Sequence, residues 1–155
     1  MSASRSGVRR RPVSSLGSGG ARVVLVDDEE LFRAVGRSLI EAIPDFILVG
    51  EADSGDGALR RVAELSPDLV LIDYRMSPTD GIAAAAIIVE RHPGTAVIVM
   101  SADGIDESLL AGSGAMAFVR KQDLSPRRLC QLWADGRRDR PAGAASATHI
   151  SSDDQ

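Results

Sequence analysis

The feature that most constrains this chain is a set of short apolar runs that stop abruptly at polar residues. Val23-Val24-Leu25-Val26 ends at Asp27-Asp28, Leu69-Val70-Leu71-Ile72 at Asp73, and Ala96 to Met100 at Ser101. The runs are continuous rather than alternating, as expected of strands covered on both faces. Between them lie stretches of helical period. Leu31, Phe32, Val35, Leu39, Ile40 and Ile43 recur at three- and four-residue spacing until Pro44. Ser54 is placed to cap a helix through about Leu65, and Ser66-Pro67 ends it. Ile82–Arg91 closes at His92-Pro93-Gly94, and a short helical piece spans about Ile105 to Ala111. Phe46 to Val49 and Ala115 to Val119 supply two further strands, and Ser125-Pro126 opens a last helix with Leu129, Leu132 and Trp133 facing inward.

Five strands separated by five helices predict a single α/β domain. It is a doubly wound, flavodoxin-like (βα)5 fold with a parallel five-stranded sheet and right-handed crossovers. Such a sheet binds ligands beyond the carboxyl ends of its strands. The residues that follow the apolar runs are therefore the candidate site.

Composition sets the limits. The chain has 155 residues, 44% apolar but only 3% aromatic, so the core is built from Val, Leu, Ile and Ala. Residues 1–20 carry four arginines and no acid, and are expected to be a disordered basic tail. Residues 21–136 carry eleven basic and nineteen acidic side chains, a net of −8, and form the expected domain. That acidity argues against nucleic-acid binding by the folded part, because phosphate contacts supply most such affinity. Residues 137–155 read as a disordered C-terminal tail. Cys130 is the only cysteine, so no internal disulfide is possible; it is expected as a small core residue on the last helix. No apolar run is long enough to span a membrane and no secretory signal is present, so a cytoplasmic location is expected.

Asp27, Asp28 and Asp73 would converge at one edge of the sheet. Like charges so close are strongly unfavourable without protonation or a cation. Oxygen ligands with open positions suit Mg²⁺, which keeps waters and takes one or two carboxylates plus phosphate oxygens. Lys121, just past the fifth strand, would offset further charge, and Ser101 offers a hydroxyl. This is equipment for holding a phosphoryl group on a carboxylate. Lys121 is the only lysine in the chain; the other seventeen basic residues are arginine. A compact ammonium on a flexible stem fits a crowded pocket that a planar guanidinium would not.

With these residues in place, the chain from about Ala21 to Gly136 resembles the response-regulator receiver domain of two-component signalling. It looks most like the receivers of LuxR/NarL-type regulators, through GEADSGDGAL and GAMAFVRK. The resemblance implies that Asp73, in LIDYRM, is the phosphoacceptor. Asp27, Asp28, Asp73 and the main-chain carbonyl of Arg75 would hold Mg²⁺, and Lys121 and Ser101 would contact the phosphoryl group. Ser101 and Phe118 would be the switch pair. Arg75 and Asp103 flank the site, and we expect them to pair across its mouth.

Three local departures stand out. Lys121 follows Ser101 by twenty residues, fewer than receivers usually have, so the fourth helix is expected to be short. The usual Met-Pro reads Met76-Ser77-Pro78, and Lys121 is followed by Gln122 rather than proline. Two other readings of single motifs fail. Gly112 to Ala117 fits a dinucleotide fingerprint but precedes a strand instead of following one. A phosphatase of the haloacid-dehalogenase type would need an acid where Arg75 stands.

The implied function is a phosphoacceptor switch rather than an enzyme in the usual sense. It would take a phosphoryl group from a sensor histidine kinase or a phosphotransfer protein and be read by an output protein. A homodimer is possible, and no membrane partner is implied. The residues after Gly136 are too few and too polar for a helix-turn-helix output, so a stand-alone receiver is expected. The alternatives are a truncated or DNA-associated transcriptional regulator, and a pseudo-receiver that acts without phosphorylation.

Overall fold

The structure is a computed structural model, and it describes residues 20–76 and 80–139. Five strands are present: β1 (Ala21–Val26), β2 (Phe46–Ala52), β3 (Leu69–Asp73), β4 (Ala96–Ser101) and β5 (Ala117–Arg120). Five helices connect and follow them: α1 (Glu30–Glu41), α2 (Gly55–Leu65), α3 (Gly81–Arg91), α4 (Glu107–Ser113) and α5 (Pro126–Asp139). A 3₁₀ turn at Lys121–Asp123 links β5 to α5. Every strand pairing is parallel, in the order β2-β1-β3-β4-β5. The expected doubly wound fold is what the chain adopts. The order reverses between β1 and β3, so the ends of these two strands border the switch-point crevice.

The continuous apolar runs are explained by the two layers of helix. Val23, Leu25, Leu69, Leu71, Ile98 and Met100 face one way, into a cluster with Ile40 of α1 and Leu129 of α5. Val24, Val26, Val70, Ile72, Val97 and Val99 face the other, against Ala58 and Val62 of α2 and Ala84, Ala85 and Ile88 of α3. Burying each Val, Leu or Ile contributes about 1.5–3 kcal/mol. Trp133 of α5 meets Phe46 at the start of β2 edge-on, with ring centroids 6.3 Å apart.

Polar residues cap α2 and α3, Ser54 as expected and Asp80 in addition. The Ser54 hydroxyl accepts from the Gly57 amide at 3.0 Å, and Asp80 caps α3 by accepting from the Ala83 amide at 2.8 Å. Ser66 ends α2 in the left-handed region, with φ of 47°. A side chain is strained there, so Ser66→Gly is expected to stabilise the protein by about 0.5–1 kcal/mol in urea unfolding.

Several expectations need correction. α4 is short, at seven residues, but runs from Glu107 to Ser113 rather than from Ile105 to Ala111. Gly114 follows with φ of 76°, and the Ala115 amide donates to the Ser113 hydroxyl. That turn consumes residues the apolar pattern assigned to β5, which starts at Ala117. α5 continues to Asp139, three residues past the Gly136 boundary. Cys130 is exposed, because Leu129 and Leu132 take the inward face of α5. The rest of both expected tails, and Ser77-Pro78, lie outside the described residues. Among the described residues, no helix is long and apolar enough to cross a membrane.

Candidate functional site

The carboxyl ends of β1 and β3 carry Asp27 and Asp73. Asp27 is fully buried and Asp73 is 4% exposed, while Asp28 is exposed. One carboxylate oxygen from each of the three lies within 4.8 Å of the others. Asp27 Oδ1 accepts from the Glu29 amide at 2.8 Å, and Asp73 Oδ1 accepts from the Arg75 amide at 3.4 Å.

Lys121 projects into this cluster from the turn after β5. Its Nζ lies 2.7 Å from Asp27 Oδ2 and 3.5 Å from Asp73 Oδ2. It also sits 3.3 Å from Glu29 Oε1 and 4.3 Å from the centroid of the Phe32 ring. Asp27 Oδ2 is held by this ionic contact and accepts no well-aligned hydrogen bond among the described residues. Burial works against the Lys121 ammonium, but the Asp27 contact and the charges of Asp73 and Asp27 outweigh it and raise its pKa.

Asp73 titrates abnormally. Burial, and next the neighbouring charge of Asp27, push its pKa up to about 6, although Lys121 pulls the other way. The sign for stability follows. The folded value lies above the ordinary 3.8, so stability falls as pH rises from about 4 to about 6 and the full penalty persists above that. A shift of about two units corresponds to roughly 3 kcal/mol as an upper bound. Asp73→Asn, with the chain free of divalent cations, is therefore expected to be more stable than the native sequence by about 1–3 kcal/mol at pH 7.5. Urea unfolding in EDTA should show that gap closing below about pH 4.

Ser101 ends β4, the strand beside β3, and is 1% exposed; its hydroxyl accepts from the Asp103 amide at 3.2 Å. Phe118 on β5 is half-buried against the α2–α3 layer. The structure thus brings Asp27, Asp28, Asp73 and Lys121 together and sets Ser101 on the adjacent strand end. It does not join Arg75 to Asp103. Among the described residues there is no such ion pair; the exposed Arg75 guanidinium lies 5.7 Å from the Tyr74 ring centroid instead. Met76 is buried against the α2–α3 layer.

Three participants escape a reading of the sequence. Glu29 looks like one more acid in Asp27-Asp28-Glu29-Glu30, yet it shares Lys121. Phe32 looks like a core position and forms the apolar wall under the ammonium. Gly81 starts α3 so close to β3 that a Cβ there would stand 2.0 Å from the Asp73 carbonyl oxygen. Its position after Asp80, at a helix start, was the available signal.

The sequence profile of the response regulator receiver domain matches residues 23–133. The chain belongs to the response regulator receiver family. As a receiver it is 36% identical over 102 residues to protein-glutamate methylesterase/protein-glutamine glutaminase 3 of Geobacter sulfurreducens, covering 64% of this chain and 27% of that one. It is 34% identical over 102 residues to the transcriptional regulatory protein LiaR of Bacillus subtilis, covering 64% and 48%. The chain therefore spans about a quarter to a half of the length of these relatives. Among solved structures, the receiver domain of NarL from Mycobacterium tuberculosis superposes with a TM-score of 0.70 at 31% identity, covering 78% of this chain and 98% of that one. The receiver of Thermotoga maritima CheB gives 0.63 at 29% identity, covering 77% and 95%. The acidic cluster is consistent with the phosphoacceptor and Mg²⁺ site of such receivers.

Proposed function

We propose that this receiver accepts a phosphoryl group on Asp73 from a phosphohistidine, borne by a sensor histidine kinase or a phosphotransfer protein. One observation carries the reading. A nearly buried carboxylate stands at a strand end with two further carboxylates within 4.8 Å and an ammonium 3.5 Å away. An apolar site would not gather these charges, and a purely structural ion pair would not need three acids.

The donor set fits Mg²⁺. It is oxygen-only, it holds excess negative charge, and buried Asp27 Oδ2 retains unused acceptor capacity. Asp27, Asp28, Asp73 and the Arg75 carbonyl would hold the ion, with phosphoryl oxygens and water completing it. When bound, Mg²⁺ supplies positive charge against the phosphoryl oxygens.

The residues of the chain divide the remaining work. An Asp73 carboxylate oxygen attacks phosphorus as the phosphorus–nitrogen bond of the donor breaks. The imidazole nitrogen leaves with the electron pair and takes up a proton. Lys121 exchanges part of its contact with Asp27 for a phosphoryl oxygen, and its charge offsets what the transfer brings in. Ser101 donates its hydroxyl to another phosphoryl oxygen. Its movement, followed by that of Phe118, alters the β4–α4–β5 face that a protein partner reads. Arg75 and Asp103 flank the attacking face and govern the access of hydrolytic water. The receiver promotes its own phosphorylation and dephosphorylation and turns over no separate substrate, and it works in the cytoplasm. The test is intact mass after incubation with acetyl phosphate: a gain of one phosphoryl group with Mg²⁺ and none with EDTA. A gain that ignores EDTA contradicts the metal assignment.

A further inference from the structure

We propose that Arg33 is a positioning residue that sets the acidic pair for a divalent cation, acting through the main chain of Asp27. The inference rests on reading Asp27, Asp28 and Asp73 as a Mg²⁺ site.

The sheet register of β1 against β3 ends at Val26, which pairs with Ile72. Asp27 lies one residue beyond it. Its amide still donates to the Ala52 carbonyl at 3.1 Å, but its own carbonyl has left the sheet. That carbonyl accepts from Arg33 Nη1 at 2.7 Å. It belongs to the peptide plane that links Asp27 to Asp28. Fixing the plane restrains the rotation that would swing the Asp28 carboxylate away from that of Asp27.

Arg33 is itself held. Its Nε lies 3.6 Å from Glu51 Oε1, and both side chains are mostly covered, at 20% and 26% exposed. Arg37, one helical turn on, grips the same Glu51 with two hydrogen bonds of 2.7 and 3.0 Å. Glu51 stands on β2 opposite Leu25 of β1, so the anchor is rigid with respect to the strand. The planar fork of arginine lets one side chain touch Glu51 and the Asp27 carbonyl together. A lysine would have to serve both acceptors from one nitrogen on a flexible stem, without the fixed geometry of the fork. Arg37 shares the anchor but makes no contact with Asp27 among the described residues, which makes it the natural control.

Groups that orient metal ligands without touching the metal typically contribute 10–100-fold in affinity. The experiment is calorimetric titration of MgCl₂ into the full 155-residue chain, beside Arg33→Lys and Arg37→Lys, with thermal unfolding of each. Both variants keep the charge. The expected result is about tenfold weaker Mg²⁺ binding by Arg33→Lys and a change within about twofold for Arg37→Lys. Equal affinity of Arg33→Lys and the native chain overturns the inference. Equal weakening of both variants also overturns it, because the α1–β2 contact would then act only by general loosening. No saturable Mg²⁺ binding by the native chain removes the site reading itself, which separates the two failures. Arg33→Met gives a second test of opposite sign. Loss of a positive charge near the acids would alone tighten cation binding, so weaker binding supports positioning and tighter binding overturns it.

Discussion

Lys121→Met is expected to lower the stability of the cation-free protein by about 3 kcal/mol, measured by urea unfolding in EDTA at pH 7.5. Asp27 is fully buried and Asp73 nearly so, and Lys121 is the positive charge within 4 Å of both. Removing one partner of a covered ion pair leaves the other charge without compensation, which typically costs 3–5 kcal/mol. Here the loss falls at the low end, because Asp73 already titrates near 6 and can protonate. Adding Mg²⁺ should restore part of the loss, since the cation supplies the missing charge. Lys121→Arg keeps the charge but must fit a planar fork between Asp27 at 2.7 Å and the Phe32 ring at 4.3 Å. About 1–2 kcal/mol of loss is expected from that crowding. If Lys121→Met is as stable as the native protein in EDTA, the ammonium is not what balances the acids.

Among the glycines of the described residues, Gly81→Ala is expected to be the most damaging substitution, because the atoms it meets are backbone. The new carbon would stand 2.0 Å from the Asp73 carbonyl oxygen and 2.8 Å from its carbonyl carbon, both backbone atoms. The Gly81 amide also donates to the Tyr74 carbonyl at 2.8 Å, so α3 cannot retreat without losing that bond. The strand end that carries Asp73 must shift instead. We expect destabilisation of at least about 3 kcal/mol, and slower phosphoryl uptake by whatever protein remains folded. Gly94→Ala is the control. Nothing stands within 4 Å of its added carbon, and its effect should stay within about 0.5 kcal/mol.

What could be read beforehand, and what could not, divides along physical lines. Strands β1, β3 and β4 were legible because apolar runs covered on both faces have no polar interruption, and each stops where its strand ends, at Asp73 and Ser101 as the last residues of β3 and β4 and at Asp27 one residue beyond β1. Asp27, Asp73 and Ser101 were legible for the same reason, since the last residue of such a run faces the crevice. Lys121 was legible through its isolation among arginines. The limits of α4 and β5 were not, because Gly114 and the Ser113 hydroxyl form a turn inside a stretch of apolar composition. Cys130 was misplaced because Leu129, Leu132 and Trp133 already fill the inward face of α5, a matter of helix rotation. Arg75 and Asp103 follow the ends of the adjacent strands β3 and β4, but the Arg75 guanidinium lies against the Tyr74 ring instead. The roles of Glu29 and Arg33 depend on where α1 lies over the β1–β2 edge, and periodicity does not carry that distance.

The central claim is that Asp73 is the phosphoacceptor. The most direct test is the intact mass of the native protein and of Asp73→Asn after identical exposure to acetyl phosphate and Mg²⁺. The account predicts one added phosphoryl group on the native chain and none on the variant, whose fold should be intact. Equal uptake by both proteins, or none by the native chain even from a phosphorylated histidine kinase, would contradict it.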